Sequence, residues 1–109
     1  MLNKQKIALY KTLGLLNENN LETILYCFKP EAIDNICECV YNSIYNDLHF
    51  PQCKIKKIKK LLKNKKAQKN IKIITNKSAD SKSKLKALSK EKKGLKAILT
   101  AVNSILPSN

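Results

Sequence analysis

The stretch PEAIDNICECVYNSIYN, residues 30–46, carries the clearest helical signature of the chain. Ile33, Ile36, Cys37, Val40 and Ile44 recur at steps of three and four, the repeat that lines one side of an α-helix. Pro30 suits the first helical position, where a missing N–H costs nothing, and Glu31 and Asp34 favour the positive N-terminal end. A helix with one apolar stripe needs partners for it, so the flanking segments decide the architecture.

Upstream, Leu9, Leu13 and Leu16, with Ile7 and Tyr10 beside them, predict an amphipathic helix over residues 3–16 that Gly14 weakens. Residues 17–20 are turn chemistry. Asn20 is expected to cap a short helix carrying Leu21, Ile24, Leu25 and Phe28, which Lys29-Pro30 ends. Downstream, residues 46–52, with Asp47, His49 and Pro51, read as a loop. Ile55, Ile58, Leu61 and Leu62 then keep helical spacing with lysines on the other faces, predicting a helix over residues 51–65 with a narrow stripe.

Ile71, Ile73 and Ile74 leave residues 66–74 open between more helix and a short extended piece, and residues 76–84 read as a loop or hinge. Leu85 and Leu88 support a short basic helix. From Gly94 the composition changes, and Leu95, Ile98, Leu99, Val102 and Leu106 predict a terminal amphipathic helix that stops before Pro107. A chain of 109 residues has room for one domain. The expected fold is all-α: a small helical bundle over residues 1–50, a lysine-rich helical arm over residues 51–93 and an apolar amphipathic tail over residues 94–109.

The net charge of +14 is unevenly distributed. Residues 1–53 hold 4 lysines against 6 acidic groups, whereas residues 54–96 hold 18 lysines against Asp80 and Glu91. All 22 basic residues are lysine. Lysine is a hydrated point charge, while base reading in a groove usually employs the planar guanidinium of arginine, so sequence-blind phosphate contact is favoured. The Ile- and Asn-rich composition also fits an A+T-rich coding sequence, which would deplete arginine for a reason unrelated to binding. A lysine run can also be a solvated tail, but such a tail has no need of interleaved Ile and Leu. The lysines expected to meet phosphate are Lys54, Lys56, Lys57, Lys59, Lys60, Lys63, Lys65, Lys66, Lys69, Lys72, Lys82, Lys84 and Lys86.

Residues 1–16 alternate charge and apolar side chains instead of presenting the apolar core of a secretory signal, so a reducing compartment and free thiols are expected at Cys27, Cys37, Cys39 and Cys53. No apolar run reaches the roughly 18 residues that span a bilayer. Cys37, Cys39, His49 and Cys53 are the candidate metal ligands. Residues two apart on a helix point about 200° from one another, however, so Cys37 and Cys39 do not readily share an ion, and Cys37 reads as a small core residue.

His49 has no serine or cysteine partner at an interpretable spacing, and Gly14 and Gly94 are too far apart to form a phosphate-binding loop. Glu22, Glu31, Asp34 and Glu38 read as solvent-facing helix charges. A non-enzymatic protein without cofactor or metal is expected. Tyr10, Tyr26, Phe28, Tyr41, Tyr45 and Phe50 all precede the lysine block and read as core, not as stacking platforms for bases.

The order of these features resembles small basic proteins encoded by adintovirus and Polinton-type elements, relatives of adenoviruses. The matching parts are a leucine-containing helix before Lys29-Pro30, the run Ile33-Asp34-Asn35-Ile36-Cys37-Glu38-Cys39-Val40-Tyr41-Asn42, a lysine-rich helix at 54–66, a further lysine segment at 82–93 and a hydrophobic end at 95–106. The resemblance implies a virion-associated protein similar in role to adenovirus core peptides that condense the packaged genome, found in the virion and the host nucleus. Such relatives often carry Gly-Gly where the basic part meets the tail, like a maturation-protease site; here the position reads Lys93-Gly94, a departure from that mark.

The expected function is therefore sequence-independent DNA binding through phosphate contacts. Two other readings stay open. The terminal helix, through Leu95, Ile98, Leu99, Val102 and Leu106, can lie on a membrane or capsid surface, pack on the first half, or drive self-association. Alternatively, the first half grips another protein as a regulatory module while the basic part serves as a nuclear address.

Overall fold

The computed structural model describes residues 4–46 and 48–106. Among them run seven helices: α1 (Lys4–Leu15), α2 (Glu18–Leu25), α3 (Pro30–Tyr45), α4 (Gln52–Lys63), α5 (Lys65–Ile74), α6 (Ser81–Lys90) and α7 (Lys92–Ile105). The all-α class follows directly.

Local chemistry sets the boundaries. Asn17, not Asn20, caps α2: its Oδ1 accepts the Asn20 N–H at 2.8 Å. Pro30 opens α3 at the position expected for it. The helix expected over residues 51–65 is cut at Asn64, whose Oδ1 accepts the N–H groups of Lys66 and Ala67 at 2.9 and 3.2 Å and so starts α5 one residue after α4 ends. Residues left open between helix and strand are helical, since Ala67, Ile71 and Ile74 make a buried stripe at steps of four and three.

The expected loop over residues 76–84 is shorter. Asp80 accepts the Ser83 N–H at 2.8 Å and α6 begins at Ser81. His49, in the α3–α4 connection, takes φ 55°, in the left-handed region that few residues other than glycine adopt.

The centre of the molecule is α7. Leu95, Ile98, Leu99, Ala101 and Val102 are buried, and the helix packs against α1, α2, α3, α4 and α6. One buried cluster joins Leu13 of α1, Leu21 and Leu25 of α2, Ile36 of α3, Ile58 of α4, Ile74 of α5 and Leu88 of α6 to that face. The lysine-rich stretch is thus not a detached arm: α4, α5 and α6 each contribute apolar side chains to the common core. The Cα radius of gyration, 12.7 Å, is that of a close-packed chain of this length, about 13 Å by the usual scaling, which leaves no room for a projecting arm.

Polar contacts tie α1 to this centre. The Lys96 ammonium donates to the carbonyls of Gly14 and Leu16, closing the carboxyl end of α1. Asn103 Nδ2 donates to the Tyr10 carbonyl at 2.9 Å, and Gly14 is where that amide presses against α1; a Cβ there would collide with it. The Tyr10 hydroxyl donates to the Asn35 carbonyl at 3.0 Å, fixing α1 on α3.

All four cysteines are free thiols. Burial pushes the Cys37 thiol up to about 12 and the Cys39 thiol up to about 11, so both stay protonated at neutral pH and behave as small core side chains. Cys27 and Cys53 are exposed. The aromatics divide: Tyr10 and Phe50 are buried, but Tyr26 and Tyr45 are each 60% exposed, contrary to the expectation that all six belong to the core. No helix among the described residues is long and apolar enough to cross a membrane.

Candidate nucleic-acid interface

An amphipathic helix that buries a narrow stripe leaves its remaining faces to water, and on α4 those faces are almost entirely lysine. Ile58 is buried and Ile55, Leu61 and Leu62 are half-buried, while Lys56, Lys57, Lys59, Lys60 and Lys63 are exposed. On α5 the exposed set is Lys65, Lys66, Lys69 and Lys72, and on α6 it includes Lys82 and Lys86. Lys54 is half-buried. α4 packs on α5 and α5 on α6, so these lysines are displayed on three consecutive, mutually packed helices. None of the exposed ones has a carboxylate partner among the described residues.

Lys84 stands apart from the others expected to meet phosphate. Its residue is 8% exposed, and its ammonium and the Ser81 hydroxyl both lie 3.4 Å from Asp34 Oδ1. A lysine held inward against a carboxylate of α3 is a tether between α6 and α3, not a phosphate contact. Lys92 is likewise committed, 2.8 Å from Glu22 Oε2 of α2, and this hydrogen bond raises its pKa above the ordinary lysine value. Glu22 and Asp34, 38% and 53% exposed and so solvent-facing as expected, also anchor the basic half through these lysines.

Three further exposed lysines lie outside the expected set. Lys77 lies on the α5–α6 turn, its ammonium 5.4 Å from the centre of the Tyr41 ring, and Lys90 and Lys93 flank the α6–α7 junction. The repeat from Lys86 through Lys90 to Lys93, at steps of four and three, is the signal in the sequence that marks Lys90 and Lys93, and no such repeat marks Lys77. Lys77 also shows that folding brings an aromatic ring beside a lysine of the basic half even though no aromatic interrupts the lysine block. Tyr41 and Tyr45 themselves pack with ring centres 4.9 Å apart and their planes tilted by 49°.

The five residues of the expected interaction helix are occupied internally. Leu95, Ile98, Leu99 and Val102 lie in the core, and Leu106 packs against it half-buried. Membrane or capsid contact through that face would require α7 to leave the fold. Gly94 sits inside the first turn of α7, buried, with Leu61 so close that a Cβ would approach its Cδ1 to 2.7 Å. The Lys93-Gly94 bond is thus helical backbone in the folded protein, a poor shape for a protease cleft.

The distinction between displayed and structural lysines has a measurable consequence. Lys96→Met removes the donor that satisfies two carbonyls at the end of α1 and is expected to cost about 1–3 kcal/mol, whereas Lys60→Met, on the outer face of α4, should stay within about 0.5 kcal/mol of the parent. Thermal melts followed by circular dichroism separate the two, and equal effects would mean that Lys96 is not a structural contact.

Comparison with known protein families, curated proteins and solved structures found no match to this chain.

Proposed function

We propose that this protein binds nucleic acid without reading its sequence, neutralising phosphates with lysines mounted on a folded helical body. The observation that carries this reading is the exposed, unpaired lysine surface of α4, α5 and α6. Surface charge of one sign at this density repels itself and lowers stability, so it needs a compensating counter-charge. Duplex DNA supplies one negative charge per about 1.7 Å of axis. A body 31 Å across thus lies along roughly 18 phosphate charges and brings a net +14 to them.

Neutralisation on that scale releases counterions and lets DNA segments approach one another. Together with the resemblance to adintovirus and Polinton-type basic proteins, it supports a role as a viral core protein that condenses packaged DNA in the virion and host nucleus. The mechanism is electrostatic and uses no reaction.

Fluorescence anisotropy with several unrelated duplexes of equal length tests it. Affinities should agree within about threefold, since phosphate contacts carry no sequence information. A preference of a hundredfold or more for one duplex would argue for base readout and against this function.

A further inference from the structure

A concave site lies apart from the exposed lysines of α4. It is a groove of about 560 Å³ between α5, the α6–α7 junction and the start of α2. That volume is in the range of about 300–1,000 Å³ in which small ligands are held. Residues far apart in sequence converge there: Lys66 and Lys69 from α5, Lys90 from α6, and Lys93 from the first turn of α7.

The other charged groups on its walls are mostly committed. Glu91 Oε1 accepts from Asn70 Nδ2 at 3.2 Å, and Lys92 is held by Glu22. Lys66, Lys69, Lys90 and Lys93 have no carboxylate partner among the described residues. In all, five lysines face only two carboxylates, Glu18 and Glu91. The opening turn of α7 lies on the same groove, and no side chain caps it.

Four unpaired ammonium groups around a hollow differ from the same number on a ridge. Low-dielectric walls focus the field into the hollow, and the mutual repulsion is relieved best by a ligand that packs several negative charges into a small volume. A duplex is too broad and too evenly charged to enter. We propose that this groove binds a compact polyphosphate group, supplied either by a free polyphosphate or by the phosphorylated end of a nucleic-acid strand. The groove shares Lys66, Lys69, Lys90 and Lys93 with the nucleic-acid surface, but its capture of a compact ligand does not depend on duplex binding.

The test is titration of inorganic triphosphate into the full chain at about 150 mM salt, followed by calorimetry and by amide shifts in nuclear magnetic resonance. One saturable site per chain is expected, with the largest shifts at residues 64–70 and 90–94. The double variant Lys66→Gln, Lys93→Gln should lose about tenfold or more in affinity, while Lys56→Gln, Lys60→Gln on the α4 ridge should lose less than about threefold. Because the shift map uses the unaltered protein, the result does not rest on the variants folding.

A short single strand with a 5′-phosphate that triphosphate displaces, when its 5′-hydroxyl counterpart is not displaced, identifies the strand end as the source. Equal behaviour of the two strands, with triphosphate still bound, identifies free polyphosphate. Equal losses in the two double variants, shifts spread along α4, or no saturable triphosphate binding would each overturn the proposal. Duplex binding that persists in those cases shows that only the groove assignment has failed.

Discussion

Raising monovalent salt from about 50 to 200 mM should weaken duplex binding by about a thousandfold or more, the loss expected when six to ten phosphates are neutralised. The structure offers the groups for it: eleven of the thirteen lysines expected from the sequence are exposed on α4, α5 and α6. Each engaged lysine displaces condensed counterions and adds about −0.9 to the slope of log affinity against log salt concentration. Replacing Lys56, Lys59, Lys60 and Lys63 with glutamine should therefore flatten the slope by about 0.9 for every one that had touched phosphate. Lys84→Gln should leave the slope alone, because that ammonium is already spent on Asp34. A slope near zero in the unaltered protein would mean that the lysine surface does not meet phosphate at all.

The second large effect concerns the core. Leu99 has no exposed surface and stands on the central helix, so Leu99→Ala should cost about 2–5 kcal/mol through lost burial and the cavity left behind. A domain of this size has only about 5–15 kcal/mol in total, and self-repulsion among the lysines draws on the same margin. The midpoint of thermal unfolding should fall by roughly 10–25 °C. Because α4 and α6 both pack on α7, the lysine surface should lose its helical signal in the same transition. If the lysine-rich helices instead melted separately from α1, α2 and α3, the single shared core would be refuted. Added duplex should raise the midpoint of the parent protein, since a ligand of the folded state stabilises it by mass action.

Much of this architecture is legible in the residues. The stripes of α3 and α7 follow from periodicity, because an amphipathic helix writes its buried face into its own spacing, and the start of α3 follows from the missing N–H of Pro30. What periodicity does not convey is where each face goes. The narrow stripe of α4 looks too weak to hold a helix on a core, yet Leu61 and Leu62 beside Ile58 suffice once α5 turns back at Asn64 and adds Ala67, Ile71 and Ile74.

The candidate site shows the same division. That lysines crowd residues 54–96 is plain from the sequence, but their individual roles depend on partners many positions away. Asp34 meets Lys84 across 50 residues, Glu22 meets Lys92 across 70, and Lys96 reaches the end of α1 across more than 80. No local pattern distinguishes those three from their neighbours. Lys90 and Lys93 gain their setting only because the α6–α7 junction comes against α5. Tyr26 and Tyr45 lie outside the core for a related reason: aromatic residues carry enough apolar surface to suggest burial wherever they occur, and only packing decides it.

The central claim is that folded helices sort these lysines into a displayed set and a structural set, and that the displayed set holds nucleic acid. Lysine-reactivity footprinting by mass spectrometry, with and without a duplex of about 20 base pairs, tests that claim most directly because it reads individual ammonium groups. Lys56, Lys59, Lys60, Lys63, Lys65 and Lys69 should react readily in the free protein and become protected by the duplex. Lys84 and Lys96 should react slowly in both states, and Lys4 and Lys29, outside the basic surface, should be unaffected by it. Uniform reactivity of all lysines in the free protein, or protection of Lys4 and Lys29 as strong as that of the α4 set, would contradict the account.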